Sequence, residues 1–140
     1  MTANFTGSLE DRMAIREVLE TYADAVNRVD EELWASLWVE DSHWDLSHYP
    51  ELGIVEGKEA VVKLWRDAMP HYPKLSFLIG IGMIHVNGDT ADARAYISEI
   101  YEEPGTLKDK RARACYNDRL VKRDGQWFLQ SRSFTIIHQT

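Results

Sequence analysis

The acid–base chemistry available to this sequence rests on two carboxylates, Glu99 and Asp118, and three phenols, Tyr22, Tyr101 and Tyr116. Around Glu99 the residues alternate as they do in a strand, so Ala95, Ile97, Glu99 and Tyr101 share one face. The same period puts Ala114, Tyr116 and Asp118 together on another strand. A carboxylate moved out of water into apolar surroundings holds its proton more tightly, which makes Glu99 or Asp118 a candidate acid or base. Tyrosine hydroxyls beside it can polarise a carbonyl or activate a water. Each residue also has a structural reading: Asp118 can pair with Arg132 across the last hairpin, and Glu99 can stand at a wet rim. Tyr22 can be a packing residue in a helix stripe, its hydroxyl bonded nearby.

Other chemistries find little support. His43 and Asp45 share a face of a short strand, but no HxH or HExxH spacing exists, so no metal site is expected. Cys115 is the single cysteine, which rules out an internal disulfide, fits a reducing cytoplasm and gives no sign of a nucleophilic role. No glycine-rich phosphate loop or nucleotide fingerprint is present, and no cofactor is expected. The formal net charge is -7. Lys108, Lys110, Arg111 and Arg113 form one basic cluster that alternates along a strand as a solvated face would, so nucleic acid is not an expected partner. The start lacks a secretory pattern, and the longest apolar stretch, Leu75 to Val86, is too short and glycine-broken to span a bilayer.

These side chains must be positioned by one domain, expected over residues 1–140, because the 140 residues are 44% hydrophobic and 28% charged. Ser8-Leu9-Glu10-Asp11 reads as a helix start, and Ile15, Val18, Leu19, Tyr22, Val26 and Val29 make one apolar stripe on a helix running to about Arg28. Asp30 caps a second, short helix whose buried face is Leu33, Trp34, Leu37 and Trp38. A strand from Ser42 to Tyr49 stops at Pro50. Gly57 opens a third helix with Val61, Leu64, Trp65 and Ala68 on one side. Four long strands follow: Leu75–Val86, Thr90–Glu102, Arg111–Lys122 and Trp127 to about His138. Asn87-Gly88 and Asp124-Gly125 mark hairpins, and Pro104-Gly105 marks a turn. Helices first and an antiparallel meander last give an α+β layout, a curved sheet with helices against one face.

This order, with its particular words, resembles the SnoaL-like branch of the nuclear transport factor 2-like superfamily. The words are Ile15 and Tyr22 with Asn27 and Asp30, then Trp34, Trp38 and Asp41, then Gly57 and Trp65. The Val86–Ala91 hairpin and Tyr116, Asp118, Asp124-Gly125 and Trp127 complete the set, from about Leu9 to Phe134. The resemblance implies a cone-shaped, curved, mostly antiparallel sheet wrapped around the N-terminal helices, an α+β barrel, with a mostly apolar cavity open at one end. It turns the Glu99 and Tyr116 faces inward and gives Asn27, Trp44, Leu46, His48, Phe77, Ile79 and Ile97 as lining. For His48 a solvated strand end is the plain alternative.

The resemblance also marks a loss. Dehydratase and dehydrochlorinase members use a strand histidine as base, oriented by a helix aspartate; those positions here read Phe77 and Asn27. The ketosteroid isomerase pattern keeps its oxyanion tyrosine at Tyr22, but its catalytic aspartate position reads Leu46. Two functions therefore stand. One is a cofactor-independent lyase or isomerase acting on a small cyclic hydrophobic metabolite through Tyr22, Tyr101, Tyr116 and Glu99 or Asp118. The other is a non-catalytic ligand-binding or assembly module. The family also implies a homodimer or higher homo-oligomer through the outer sheet face, where Arg94, Tyr96 and Ser98 lie.

Overall fold

In the computed structural model, which describes residues 3–140, the first helix α1 spans Leu9–Arg28. The Ser8 side chain accepts from the Asp11 N–H at 3.0 Å, and Glu10 and Asp11 lie in the positive first turn. Its stripe of Ile15, Leu19, Tyr22 and Val26 is buried. Val29 leaves that stripe: it ends the helix in the left-handed region at φ 51° and is exposed.

Helix α2 is a single turn, Glu31–Ala35, capped by Asp30, whose carboxylate accepts from the Leu33 N–H at 3.1 Å. Trp38, which the apolar spacing assigns to this helix, instead begins a strand. The Leu37 carbonyl is taken by the Leu129 N–H at 2.8 Å, which pulls the chain into the sheet one turn early. A two-residue strand β1, Phe5–Thr6, lies ahead of α1, and the next strand, β2, spans Trp38–Leu46. Pro50 falls in the turn after β2, and a strand that the sequence pattern does not announce, β3 (Gly53–Glu56), returns beside it. Helix α3, Lys58–Ala68, starts after Gly57 and passes into a 3₁₀ turn at Met69–His71.

The meander follows as β4 (Ser76–Asn87), β5 (Thr90–Glu102), β6 (Asp109–Arg123) and β7 (Gln126–Gln139). Its hairpin loops are Gly88-Asp89 and Asp124-Gly125. Asp124 and Gly125 take φ 52° and 78°, the two left-handed residues of a turn whose twist suits the flanking strands. The seven strands run in the order β1-β4-β5-β6-β7-β2-β3, antiparallel except for β1 with β4 and β2 with β7. Irregular register at Ile81–Met83 in β4, and at Arg113–Ala114 and Arg119–Leu120 in β6, bends the sheet around the helices. The cone stays open, because β1 and β3 end the sheet without pairing to each other.

Four tryptophans knit the concave side together. Trp34 stacks on Trp65 at 4.8 Å between ring centres and meets Trp38 and Trp44 at 5.4 and 5.8 Å. Among the described residues, no helix is long and apolar enough to cross a membrane.

Candidate active site

Inside the cone lies a cavity of about 150 Å³. An apolar cavity of roughly this size holds a benzene-sized molecule, which scales the space to one ring. Tyr22 on α1, Trp44 and Leu46 on β2, Phe77 on β4, Glu99 on β5 and Tyr116 on β6 all line it. So the even-numbered face of β6 and the odd-numbered face of β5 look inward.

Tyr49, Trp65, Tyr72 and Phe134 also line the cavity, and the sequence does not single them out as lining. Phe134 was legible, since it lies two residues from Arg132 on the inward face of β7. Tyr49 and Tyr72 lie outside regular strand or helix, where no period marks them.

The remaining sequence candidates do not line this cavity. Tyr101 instead meets Tyr72 edge-on, with 4.7 Å between ring centres. Ile97 is buried in the core beside it, and Ile79 packs against that core. His48 is exposed, its ring edge-on to Tyr49, because β2 ends at Leu46 and no pleat carries residue 48 inward.

Asn27 faces the open edge of β4. Its Nδ2 donates to the Phe77 carbonyl at 2.7 Å and to the Ala23 carbonyl at 3.0 Å, and its Oδ1 accepts from the Phe77 N–H at 2.7 Å. The side chain therefore acts as one missing strand residue and does not line the cavity.

Asp118 is fully committed. Arg132 Nε and Nη2 each donate to one of its carboxylate oxygens at 2.7 Å, and both side chains are buried. This corrects its candidacy as an acid or base, because a carboxylate with both oxygens bonded to a guanidinium has no free face for a substrate. Burial pushes the Asp118 carboxyl up and Arg132 pulls it only part of the way back. Desolvation works against the Arg132 charge, but the Asp118 carboxylate more than offsets it, so the guanidinium stays protonated. That guanidinium lies 4.3 Å from the Tyr22 ring centre and 3.8 Å from that of Tyr116. A planar cation between two ring faces is a favourable cation–π arrangement, here out of water.

The two phenols are linked. Burial raises both, and their mutual contact lowers Tyr22 while raising Tyr116. Their rings meet edge-on, with 6.0 Å between centres. The indole N–H of Trp34 and the Arg132 Nη1 are buried nearby without a hydrogen-bond partner among the described residues.

Glu99 is different from Asp118. It has no salt-bridge or hydrogen-bond partner among the described residues, and burial alone pushes its carboxyl up to about 7. The groups that feel its charge are phenols: Tyr49 on the β2–β3 turn, Tyr72 after α3 and Tyr116 on β6. It is the one charged residue on the cavity wall. In the β4–β5 ladder it stands directly opposite Phe77.

A family model of the SnoaL-like domain matches residues 7–133. The chain belongs to the SnoaL-like family. Solved structures place this SnoaL-like protein among similar folds. A hexachlorocyclohexane dehydrochlorinase, LinA type 2, superposes with a TM-score of 0.84 at 19% identity, covering 94% of this chain and 88% of that one. LinA type 3 from Novosphingobium barchaimii LL02 gives 0.83 at 18%, covering 94% and 90%. A protein of Novosphingobium aromaticivorans DSM 12444, provisionally named a scytalone dehydratase, gives 0.83 at 24%, covering 94% and 87%. Identities this low carry the fold alone. No curated protein matches the chain in sequence.

Proposed function

We propose that this SnoaL-like protein is a cofactor-independent lyase or isomerase acting on a small single-ring molecule, with Glu99 as its base. The observation that carries the reading is Glu99 itself: an unpaired carboxylate on the wall of an apolar cavity, opposite Phe77. Where the resemblance implies a strand histidine, this chain has Phe77, and the proton acceptor stands one strand over. A base that titrates near neutrality is matched to removing a proton from carbon at neutral pH.

Glu99 takes a proton from a ring carbon next to an electron-withdrawing group. Tyr22, which lines the cavity with the Arg132 guanidinium against its ring, donates to the oxygen where negative charge develops. The indole N–H of Trp44 is buried without a partner among the described residues and offers a second donor on the same wall. The aromatic lining keeps water from competing for these bonds, which strengthens them. Glu99 then returns the proton to a different carbon in an isomerisation, or gives it to a departing hydroxyl in an elimination.

The test is deuterium exchange at the α-carbon of single-ring ketones, followed by NMR, with wild type and Glu99→Gln compared. Proton abstraction precedes either outcome, so the assay reads the base whichever product forms. Wild-type exchange that falls at least a hundredfold in Glu99→Gln supports the reading. Equal rates in the two proteins, or no exchange above buffer, overturn it.

A further inference from the structure

The cavity wall combines a single charge with many rings. Glu99 is its one ionisable group besides the phenols, and Tyr49, Tyr72, Trp44, Trp65, Phe134 and Tyr116 surround the remaining space. Cations on nearby strands and turns are already held elsewhere. Lys74 lies 3.0 Å from Glu102, Lys110 lies 3.0 Å from Glu103, and Arg132 is bound by Asp118 at 2.7 Å. Elsewhere in the fold the buried carboxylate of Asp118 has its guanidinium, so Glu99 stands out as a half-buried carboxylate lacking one. A carboxylate taken out of water without a counter-ion is costly, and a ligand cation removes that cost. Aromatic rings reinforce the preference, because their faces attract cations and such cages recognise alkylammonium groups.

We propose that the cavity binds small single-ring amines as their ammonium ions, with the ammonium against the Glu99 carboxylate and the ring among the aromatic side chains. This goes beyond the catalytic reading and needs no turnover. A seated ammonium neutralises the proposed base, so such amines act as competitive blockers of any reaction run by Glu99. The volume accommodates one ring and a short arm.

The experiment is isothermal titration calorimetry at pH 8 with benzylamine, benzyl alcohol and benzoate, which share a ring and differ in charge. Benzylammonium is expected to bind at least tenfold more tightly than benzyl alcohol, with benzoate weakest. In Glu99→Gln the ammonium advantage over benzyl alcohol is lost, and an unchanged circular dichroism spectrum shows that the variant is folded. A second measurement uses wild type alone at pH 6.5, in buffers of different ionisation heat. Benzylamine is already protonated there, so its binding must release a proton from Glu99. Proton release there supports the proposal; equal affinity for amine and alcohol, tighter benzoate, or no binding of benzylamine each overturns it. These outcomes are independent of deuterium exchange, so either reading can fail while the other stands.

Discussion

The side-chain amide of Asn27 grips the backbone of Phe77 from both sides, donating to its carbonyl at 2.7 Å and accepting from its N–H at 2.7 Å. At this point β4 has β5 on one side only, so the other edge would leave two backbone groups unpaired. The resemblance pairs these positions as an aspartate and a histidine. Here they are still neighbours, but their bond holds a strand edge in place and thereby the ladder step that carries Glu99.

Replacing Asn27 with Leu is expected to lower stability by about 2–3 kcal/mol, because two partly buried backbone groups lose their partners. Urea denaturation measures this. Asn27→Asp keeps the acceptor for the Phe77 N–H but turns its second oxygen toward the Phe77 and Ala23 carbonyls, so it too is expected to destabilise the fold, less at low pH where the carboxyl is protonated and can donate. Combined with Phe77→His it rebuilds the family's dyad: the imidazole at position 77 is expected to titrate above 6.5 by NMR when the aspartate is present. An imidazole pKa that ignores residue 27 would show that the two side chains do not couple.

Glu99 makes the fold pH-sensitive in a definite direction. Its carboxyl titrates at about 7 in the folded protein, against 4.5 ordinarily. Below pH 4.5 it is protonated in both states and costs nothing. As pH climbs from 4.5 to 7 the unfolded chain releases a proton that the folded protein keeps, so stability is lost across that window. The loss is about 1–3 kcal/mol, the upper figure reduced by partial exposure of the group. Glu99→Gln is expected to be more stable than wild type by that amount at pH 8 and equal to it near pH 4. Denaturation midpoints at the two values decide it.

The parts of this site that the sequence revealed are those set by a period. Two-residue alternation grouped Glu99 with Tyr101 and Tyr116 with Asp118, the resemblance turned those faces inward, and Asp118 was left between the cavity and Arg132. The structure chose Arg132, whose buried guanidinium needs a carboxylate more than the cavity does. Periodicity failed where tertiary contacts override it. Trp34 and Trp38 are four apart, which suits one helix face, yet a bond from Leu129 to the carbonyl of Leu37 puts Trp38 in a strand. Tyr49 and Tyr72 have no pattern to betray them. A turn after Leu46 and a 3₁₀ turn containing Pro70 deliver them; Tyr49 stacks on Phe134 and Tyr72 meets Tyr101 edge-on, which fixes their rings.

The Asp118–Arg132 pair answers differently to single and double substitution. Asp118→Asn leaves a buried guanidinium without its counter-charge and is expected to cost about 3–5 kcal/mol. Asp118→Leu with Arg132→Met removes both charges together and is expected to recover most of that loss. Chemical denaturation of the three proteins checks it. A double variant no more stable than Asp118→Asn would mean that Arg132 matters through its contacts with the Tyr22 and Tyr116 rings and not through its charge pair.

The pH dependence of turnover separates the base from the donors. The groups facing Glu99 are the phenols Tyr49, Tyr72 and Tyr116, all raised by burial, Tyr72 to about 12. They stay neutral through the range in which Glu99 ionises. Exchange or turnover is therefore expected to rise tenfold per pH unit well below 7, to level off above it, and to show no second limb before the alkaline range. Tyr22→Phe removes the donor without touching the base. It is expected to lower kcat roughly 10²–10³-fold while leaving the ascending limb where it was. If the limb moves with the tyrosine, the ionisation belongs to the phenol cluster and Glu99 is not the base.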